Sequence, residues 1–143
     1  MSLPTLHRRL SLTATRGITT PFSCSPTPAW AKVTSLKRLA EIDADTYLVS
    51  HGREGVLDGD PAHIERYLDV IYHREEKLLN FLASGPKTIE AITEHGIIYG
   101  GHTLASGAWD LSVSEMAMMI KHVERLEHLG RVAKEEGRYH LIS

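Results

Sequence analysis

The sequence predicts a mostly helical α+β protein that ends in a winged helix-turn-helix domain. Apolar residues recur at three- and four-residue spacing in four segments, which is typical of amphipathic helices. A short apolar run at residues 46–50 indicates a buried strand, and residues 131–142 alternate as the two strands of a hairpin. With 143 residues, 42% of them hydrophobic, the chain is long enough to bury a core.

The first 26 residues are predicted to be an irregular basic arm. They show no helical or strand period and are interrupted by three prolines and a glycine after Met1. Residues 1–40 carry six of the 16 basic residues and no acid; residues 41–143 carry the other ten and all 18 acids, a balance of −8. The whole chain has a net charge of −2, which favours neither nucleic acid nor a membrane surface as its partner.

Cysteine usage and hydropathy bear on location. Cys24 is the one cysteine, so no disulfide forms within the chain, and a reducing compartment, the cytoplasm, is predicted. No basic neighbour activates this thiol, which is predicted to be passive. No apolar run approaches the roughly 20 residues of a membrane span, so no membrane partner is expected.

Residues 27–58 are predicted to form a helix–strand unit. Thr27 is placed as the helix N-cap, with Pro28 at the first helical position. The apolar stripe of this helix consists of Trp30, Val33, Leu36, Leu39 and Ala40. A strand at residues 46–50 follows, and residues 52–60 are predicted to be a turn-rich connection. One helix and one strand cannot bury both of their faces, so the unit is expected to expose an apolar face.

Residues 59–143 are predicted to be the winged-helix domain. Its three helices are each preceded by a residue type that caps helices. The predicted caps are Asp60 (with Pro61 just inside the helix), Thr88, and Ser112 or Ser114. The apolar stripe of the long first helix is broken by Glu75. Three helices followed by a hairpin, with its turn at residues 135–137, give the element order of a winged helix.

The candidate site residue is His51, which ends the apolar run at residues 46–50 and is followed by Gly52. A histidine held at a strand end can face a cleft, which suits a metal ligand or a general base. A hydrogen-bonded structural histidine is the alternative interpretation. Zinc needs three or four converging ligands, and the nine histidines include no pair at metal-binding spacing that shares a plausible site. No catalytic and no cofactor-binding residue is assigned.

Other polar motifs are interpreted as structural. Residues 73–76 (His-Arg-Glu-Glu) are predicted to be a charged, solvated face of the long helix. His122 and His128 are six residues apart on the third helix and are predicted to lie on different, solvated faces. The methionines at residues 116–119 are predicted to be core.

DNA binding would require basic and amide side chains on the exposed face of the third helix and on the hairpin. The third helix offers Lys121 and Arg125, which are offset by three glutamates on the same helix, and the hairpin is similarly balanced. Because phosphate contacts dominate nucleic-acid affinity, this near-neutral surface does not favour nucleic-acid binding. A stand-alone winged-helix DNA-binding transcription regulator is kept as the alternative function.

Four stretches of the sequence and their order carry a family resemblance: residues 18–22, 35–39, 45–52 and 82–86, followed by the winged-helix pattern. Together they resemble the C-terminal part of metallo-β-lactamase-superfamily hydrolases, in the subgroup with a winged-helix tail. In that subgroup the strand ends in a Pro-Gly-His-Gly-like motif whose histidine binds the second metal. His51 stands at that position, although Val49 and Ser50 precede it here.

The resemblance covers residues 17–143. The family motifs that are missing from this chain are as informative as those that it contains. The His-x-His-x-Asp-His metal motif occurs nowhere in the sequence, and Arg16-Gly17 stand where the family has its bridging aspartate. The resemblance therefore implies the C-terminal portion of a metal-dependent hydrolase, with residues 27–58 as a helix–strand remnant of its αββα metallo-hydrolase fold.

The resemblance also implies cofactors and partners. Zinc or another divalent metal would belong to the parent hydrolase, while this chain alone is expected to bind none and to be catalytically inactive. The missing N-terminal hydrolase portion is one expected partner, and a second copy of this chain, meeting it through the exposed apolar face, is the other. A third hypothesis is a complete small protein that gains a metal site from a partner chain.

Overall fold

The computed structural model of the protein describes residues 12–14, 28–49, 55–100 and 111–142. The elements in chain order are β1 (Leu12–Ala14), α1 (Ala29–Ala40), β2 (Thr46–Val49), β3 (Val56–Asp58), α2 (Ala62–Leu82), β4 (Lys87–Thr88), α3 (Ile89–His95), α4 (Leu111–His128), β5 (Val132–Glu135) and β6 (Arg138–Leu141). They form a mixed α+β fold that is mostly helical, as the sequence predicts, and the strands form two small sheets.

The first sheet has the strand order β1-β2-β3. β1 runs parallel to β2, with Leu12 opposite Tyr47, and α1 connects the two strands, as parallel pairing requires a crossover. β3 runs antiparallel to β2, with Thr46 opposite Asp58. Two predictions are therefore wrong. The arm at residues 1–26 contains a strand, and the connection at residues 52–60 contains another, because both pair with β2.

The two faces of this sheet differ in exposure. Successive side chains of a strand point to opposite faces. Tyr47 is only 2% exposed, whereas its neighbour Leu48 is 37% exposed. Leu48 lies directly opposite Val56 of β3, which is 56% exposed, so an apolar pair stands on the open face of the sheet. The expected exposed apolar face is therefore present at the strands.

Helix α1 packs against α2 and α4 and is part of a common apolar cluster. The buried members of the cluster are Val33, Leu68, Ile71 and Met118, which come from all three helices. Leu36 packs against them and is half-buried. Val33, in the middle of the apolar stripe of α1, is thus covered within the chain, whereas Trp30 at its start is exposed. This cluster joins residues on both sides of the predicted boundary at residue 58.

A second apolar cluster lies between the three later helices and the second sheet, whose strand order is β4-β6-β5. Its buried members are Leu78, Leu82, Ile92, Met119, Val123, Leu126, Val132 and Tyr139. Met118 and Met119 are buried, as predicted, whereas Met116 is only half-buried.

Two of the predicted helix caps are present. The backbone N–H of Ala62 donates to Oδ1 of Asp60 at 2.9 Å, at the start of α2. The N–H of Ala91 donates to Oγ1 of Thr88 at 3.3 Å, at the start of α3. Each carboxylate or hydroxyl oxygen satisfies an N–H that has no partner within its helix.

The other predicted starts are displaced. Pro28 has an extended ψ of 144° and precedes α1 instead of occupying its first helical position, while Thr27 lies outside the described residues. α4 already begins at Leu111, so Ser112 and Ser114 lie inside it and the prediction that one of them caps it is wrong. The first buried residue of α4 is the polar Glu115, three residues before the first buried apolar one, Met118. The apolar pattern therefore does not mark where the buried face of the helix starts.

The predicted hairpin is confirmed. β5 and β6 pair antiparallel, with Glu135 opposite Arg138. The two turn residues both have positive φ, 49° at Glu136 and 78° at Gly137. This is the geometry of a type I′ turn, whose twist matches that of the flanking strands.

Candidate functional site

His51 lies outside the described residues, and so does Cys24. The strands that flank His51 in sequence are in place: β2 ends at Val49, whose N–H donates to the carbonyl of Gly55 at 2.9 Å. In the sequence, His51 stands between β2 and β3. Its assignment as a metal ligand stays a prediction.

The described part of the chain contains a buried charged cluster between α2 and α4, which we call the α2–α4 cluster: Glu75, His122 and Arg125. All three residues are at least nine-tenths buried. Nη1 of Arg125 donates to Oε2 of Glu75, and Nδ1 of His122 lies 3.4 Å from Oε1. Each carboxylate oxygen therefore has a partner, which a buried charge requires.

The surroundings of this cluster are apolar and aromatic. The guanidinium of Arg125 lies 5.5 Å from the ring centre of Tyr72, one turn before Glu75 on α2. Such a cation–π contact further compensates a cation removed from water. The cluster thus fixes α4 against α2 from the inside and presents no reactive group to solvent.

Three sequence interpretations fail at this cluster. Glu75 was predicted to lie on a solvated face, His122 on a solvated surface, and Arg125 among residues available for DNA; all three are buried. One signal was visible in the sequence. Glu75 stands four residues after Ile71 and three before Leu78, on the apolar stripe of α2 itself, so its charge had to be matched by a partner from elsewhere.

A second buried carboxylate, Glu115, anchors the segment after α3. Its Oε1 accepts the N–H of Ile98 at 3.1 Å and its Oε2 accepts the N–H of Tyr99 at 3.0 Å. Glu115 is only 2% exposed. Hydrogen bonds to an ionised acceptor are roughly twice as strong as neutral ones, so this side chain ties the loop to α4.

A third polar group joins β3 to the first turn of α2: Asp58, His63 and Arg66. Nε2 of His63 lies 2.5 Å from Oδ1 of Asp58, and Nδ1 lies 2.6 Å from Nη2 of Arg66. A guanidinium can only donate, so Nδ1 accepts and Nε2 carries the proton donated to Asp58. This hydrogen bond is the largest cause that holds the pKa of Asp58 below its ordinary value.

The chemistry of metal binding is not matched by the described part of the chain. Within it, no three His, Cys, Asp or Glu side chains lie close enough together to hold a metal ion. The donors present in this part therefore do not fit the metal that the family resemblance implies, and no reaction step is derived through one.

The surface of α4 bears on nucleic-acid binding. One side of the helix packs into the second cluster through Met119, Val123 and Leu126, and Met118 packs against α1 and α2. On its partly exposed side, Lys121 pairs with Glu124 at 2.9 Å. The described part of α4 is therefore flanked by α1 and its lysine is neutralised, which disfavours phosphate contacts.

An open groove runs between the ends of α2 and α3, lined in part by Lys77, Phe81 and His95. Phe81 and His95 stack with ring centres 3.9 Å apart, and Nζ of Lys87 lies 5.3 Å from the centre of the Phe81 ring. Both helices point their C-terminal carbonyls toward this end, which disfavours an anion there. This groove is thus open to solvent, and the residues that line it form no catalytic set.

Comparison with solved structures supplies an informative similarity. The fold is similar to part of a crystal structure of a metallo-β-lactamase family protein from Thermus thermophilus, with a TM-score of 0.60 and 24% identity. The match covers 77% of this chain and 32% of that one, so this chain spans about a third of its length. No protein-family profile matches the sequence, and no curated protein matches it either.

Among the described residues, every helix is too short or too polar to cross a membrane.

Proposed function

We propose that this chain is the C-terminal portion of a metal-dependent hydrolase of the metallo-β-lactamase superfamily. The observation that carries the proposal is the partial fold match, in which most of this chain corresponds to about a third of a metallo-β-lactamase family protein. The sequence resemblance, found in residues 17–143 independently of the fold, supports the same parentage. On this proposal the first sheet is a remnant of the αββα domain.

We further propose that residues 59–143 form a winged-helix tail whose role is packing, shaping of substrate access or dimerisation. The order α2–β4–α3–α4–β5–β6 and the sheet order β4-β6-β5 support this assignment. The position of α1 against α4 and the Lys121–Glu124 pair support a structural role over DNA recognition. Retention on DNA that falls with added salt would favour the alternative, a winged-helix transcription regulator.

The metal of the parent hydrolase, zinc or another divalent ion, belongs on this proposal to a site built mostly by residues upstream. His51 is the one residue of this chain that the family motif matches to a ligand. We expect the isolated chain to show no hydrolase activity with added zinc or manganese. Metal-dependent turnover that disappears in His51→Ala would contradict the proposal.

The parentage has a direct test in the gene. The expected observation is a His-x-His-x-Asp-His motif in the same reading frame upstream of Met1, and a native product larger than the 15.9 kDa of this chain. An in-frame stop codon just upstream, together with a native product of 15.9 kDa, would contradict the proposal that this chain is part of a larger hydrolase.

Two further proposals concern partners and location. The exposed pair Leu48 and Val56 supports association, either with the N-terminal hydrolase portion or, in its absence, with a second copy of this chain. A chain with one cysteine is suited to the cytoplasm, which we propose as its compartment.

A further inference from the structure

One aromatic contact joins the start of α1 to the end of α4. The rings of Trp30 and His128 stack with centres 4.8 Å apart and planes inclined by 15°. Trp30 lies in the first turn of α1, and His128 is the last residue of α4. Trp30 keeps 42% of its surface exposed, so burial accounts for only part of what this contact contributes.

The chemistry of this pair depends on the protonation of the imidazole. Neutral imidazole stacked on indole contributes dispersion alone, whereas imidazolium adds the attraction of a cation for the π face, for which tryptophan is the best ring. A proton on His128 therefore strengthens the contact through which α1 docks on α4.

We propose that the Trp30–His128 stack is a pH-sensitive clasp that holds α1 more tightly on α4 when His128 is protonated. α1 lies between β1 and β2 in the chain, so the clasp controls how firmly the first sheet is held to the later helices. This inference rests on the geometry of the stack and is independent of the hydrolase parentage.

The charged groups closest in sequence to Trp30 and His128 lie on α1, on α4 and just before β5. They are Lys32 on α1, Glu124, Arg125 and Glu127 on α4, and Arg131 before β5. Arg125 is bound by Glu75 on α2, and Glu124 is paired with Lys121. Two of these charges are thus engaged with other residues, and the indole of Trp30 is the ring contact that a proton on His128 strengthens.

The test is amide hydrogen exchange of α1, expressed as protection factors so that the intrinsic effect of pH on exchange cancels. The measurements are made at about pH 5.5 and about pH 7.5, which bracket the range in which histidine side chains ordinarily titrate. We expect α1 to be about two- to fivefold more protected at the lower pH, the ratio that a surface cation–π contact supplies. Equal protection at the two pH values would overturn the proposal.

Four variants separate the clasp from a general effect of pH. His128→Gln removes the titrating group and should abolish the ratio, and Trp30→Leu should do so while keeping an apolar contact. His128→Lys carries a permanent cation and should keep α1 protected at both pH values. His73→Gln, an exposed histidine on α2, is the matched control and should behave as wild type. A ratio that survives in His128→Gln would assign the effect to another group.

Discussion

Arg125 on α4 donates a hydrogen bond to the carboxylate of Glu75 on α2, fifty residues earlier in the chain, and both side chains are buried. The pair lies where the two apolar clusters meet, since Ile71 on one side of Glu75 belongs to one cluster and Leu78 on the other side to the second. The two clusters are therefore held in register by a charged contact between them.

Breaking this pair from one side is expected to be costly. Glu75→Gln leaves the guanidinium of Arg125 buried without its counter-charge and should lower the free energy of unfolding by about 3–5 kcal/mol. Replacing both partners, as Glu75→Met with Arg125→Met, should cost clearly less than the single change because no buried charge is left unpaired. Urea unfolding followed by circular dichroism measures both.

The neighbouring residue supplies the control for this experiment. Glu76 is exposed, and Glu76→Gln should change the free energy of unfolding by no more than about 0.5 kcal/mol. If Glu75→Gln were as mild as Glu76→Gln, the buried pair would contribute nothing measurable and its role in register would be wrong.

Gly59 is expected to tolerate no side chain. A Cβ built on it would lie 1.6 Å from the carbonyl oxygen of Ala44, and its N–H donates to the carbonyl of Asp45 at 3.0 Å. The atoms that the Cβ would meet, in the carbonyl groups of Ala44 and Asp45, are backbone and cannot swing aside, so Gly59→Ala should destabilise the protein by about 3 kcal/mol or more, or prevent folding. Thermal unfolding of the purified variant measures this.

Gly55 is a useful comparison for this substitution. It has a φ of +64° but nothing within 4 Å of a built Cβ, so Gly55→Ala should cost only the left-handed backbone strain, about 1–2 kcal/mol. Equal destabilisation by the two variants would show that the close approach of Gly59 to Ala44 is not the reason why alanine is unfavourable at position 59.

Asp58 should make stability depend on pH. The hydrogen bond from His63, the backbone of Asp60 and nearby positive charge hold its pKa below the ordinary value of 3.8 in the folded protein. A carboxyl whose pKa is lower in the folded state favours folding above its unfolded pKa, and this contribution is lost as the pH falls through the folded value. The unfolding midpoint of wild type should therefore exceed that of Asp58→Asn at about pH 6, and the difference should shrink toward about pH 3.

The origin of this effect is checked at its partner. His63→Gln removes the largest cause of the lowered pKa of Asp58. In this variant the unfolding midpoint should therefore fall less than in wild type as the pH is lowered from about 6 to about 3. Asp69→Asn, at an exposed position farther along α2, serves as control. A difference between wild type and Asp58→Asn that stays constant over this pH range would contradict the assignment.

Self-association through the open face of the first sheet is the last prediction. Leu48 and Val56 form a cross-strand apolar pair that is exposed, and Leu48→Lys combined with Val56→Thr should shift reversible association toward monomer. Sedimentation velocity at micromolar concentration is the measurement. Val113→Lys changes a side chain that is even more exposed, at 67%, on another element, and should leave association unchanged. A wild-type chain that sediments as a monomer would remove the proposal.

The sequence predicts best where a signal is local. The caps at Asp60 and Thr88 and the turn at Glu136-Gly137 follow from residue types within four positions. The strand β3 was missed because two apolar residues stand among glycines and aspartates, and only pairing with β2 makes them a strand. Glu75 was misplaced for the same reason, since its partners lie 47 and 50 residues away. His51 lies outside the described residues, and its assignment as a ligand rests on its place after an apolar run and on the family resemblance.

The shared cluster of α1, α2 and α4 has a consequence for how this polypeptide can be divided. A cut at residue 58 would follow the boundary that the sequence suggests, but it would remove Val33 and uncover Ile71 and Met118 on the remaining piece. A shortened protein made for crystallisation, or a tail exchanged between enzymes by gene fusion, should therefore keep α1 with the later helices. The smallest unit that evolution could move between proteins is therefore the one that includes α1, which covers the apolar side chains of α2 and α4. That unit begins before residue 29.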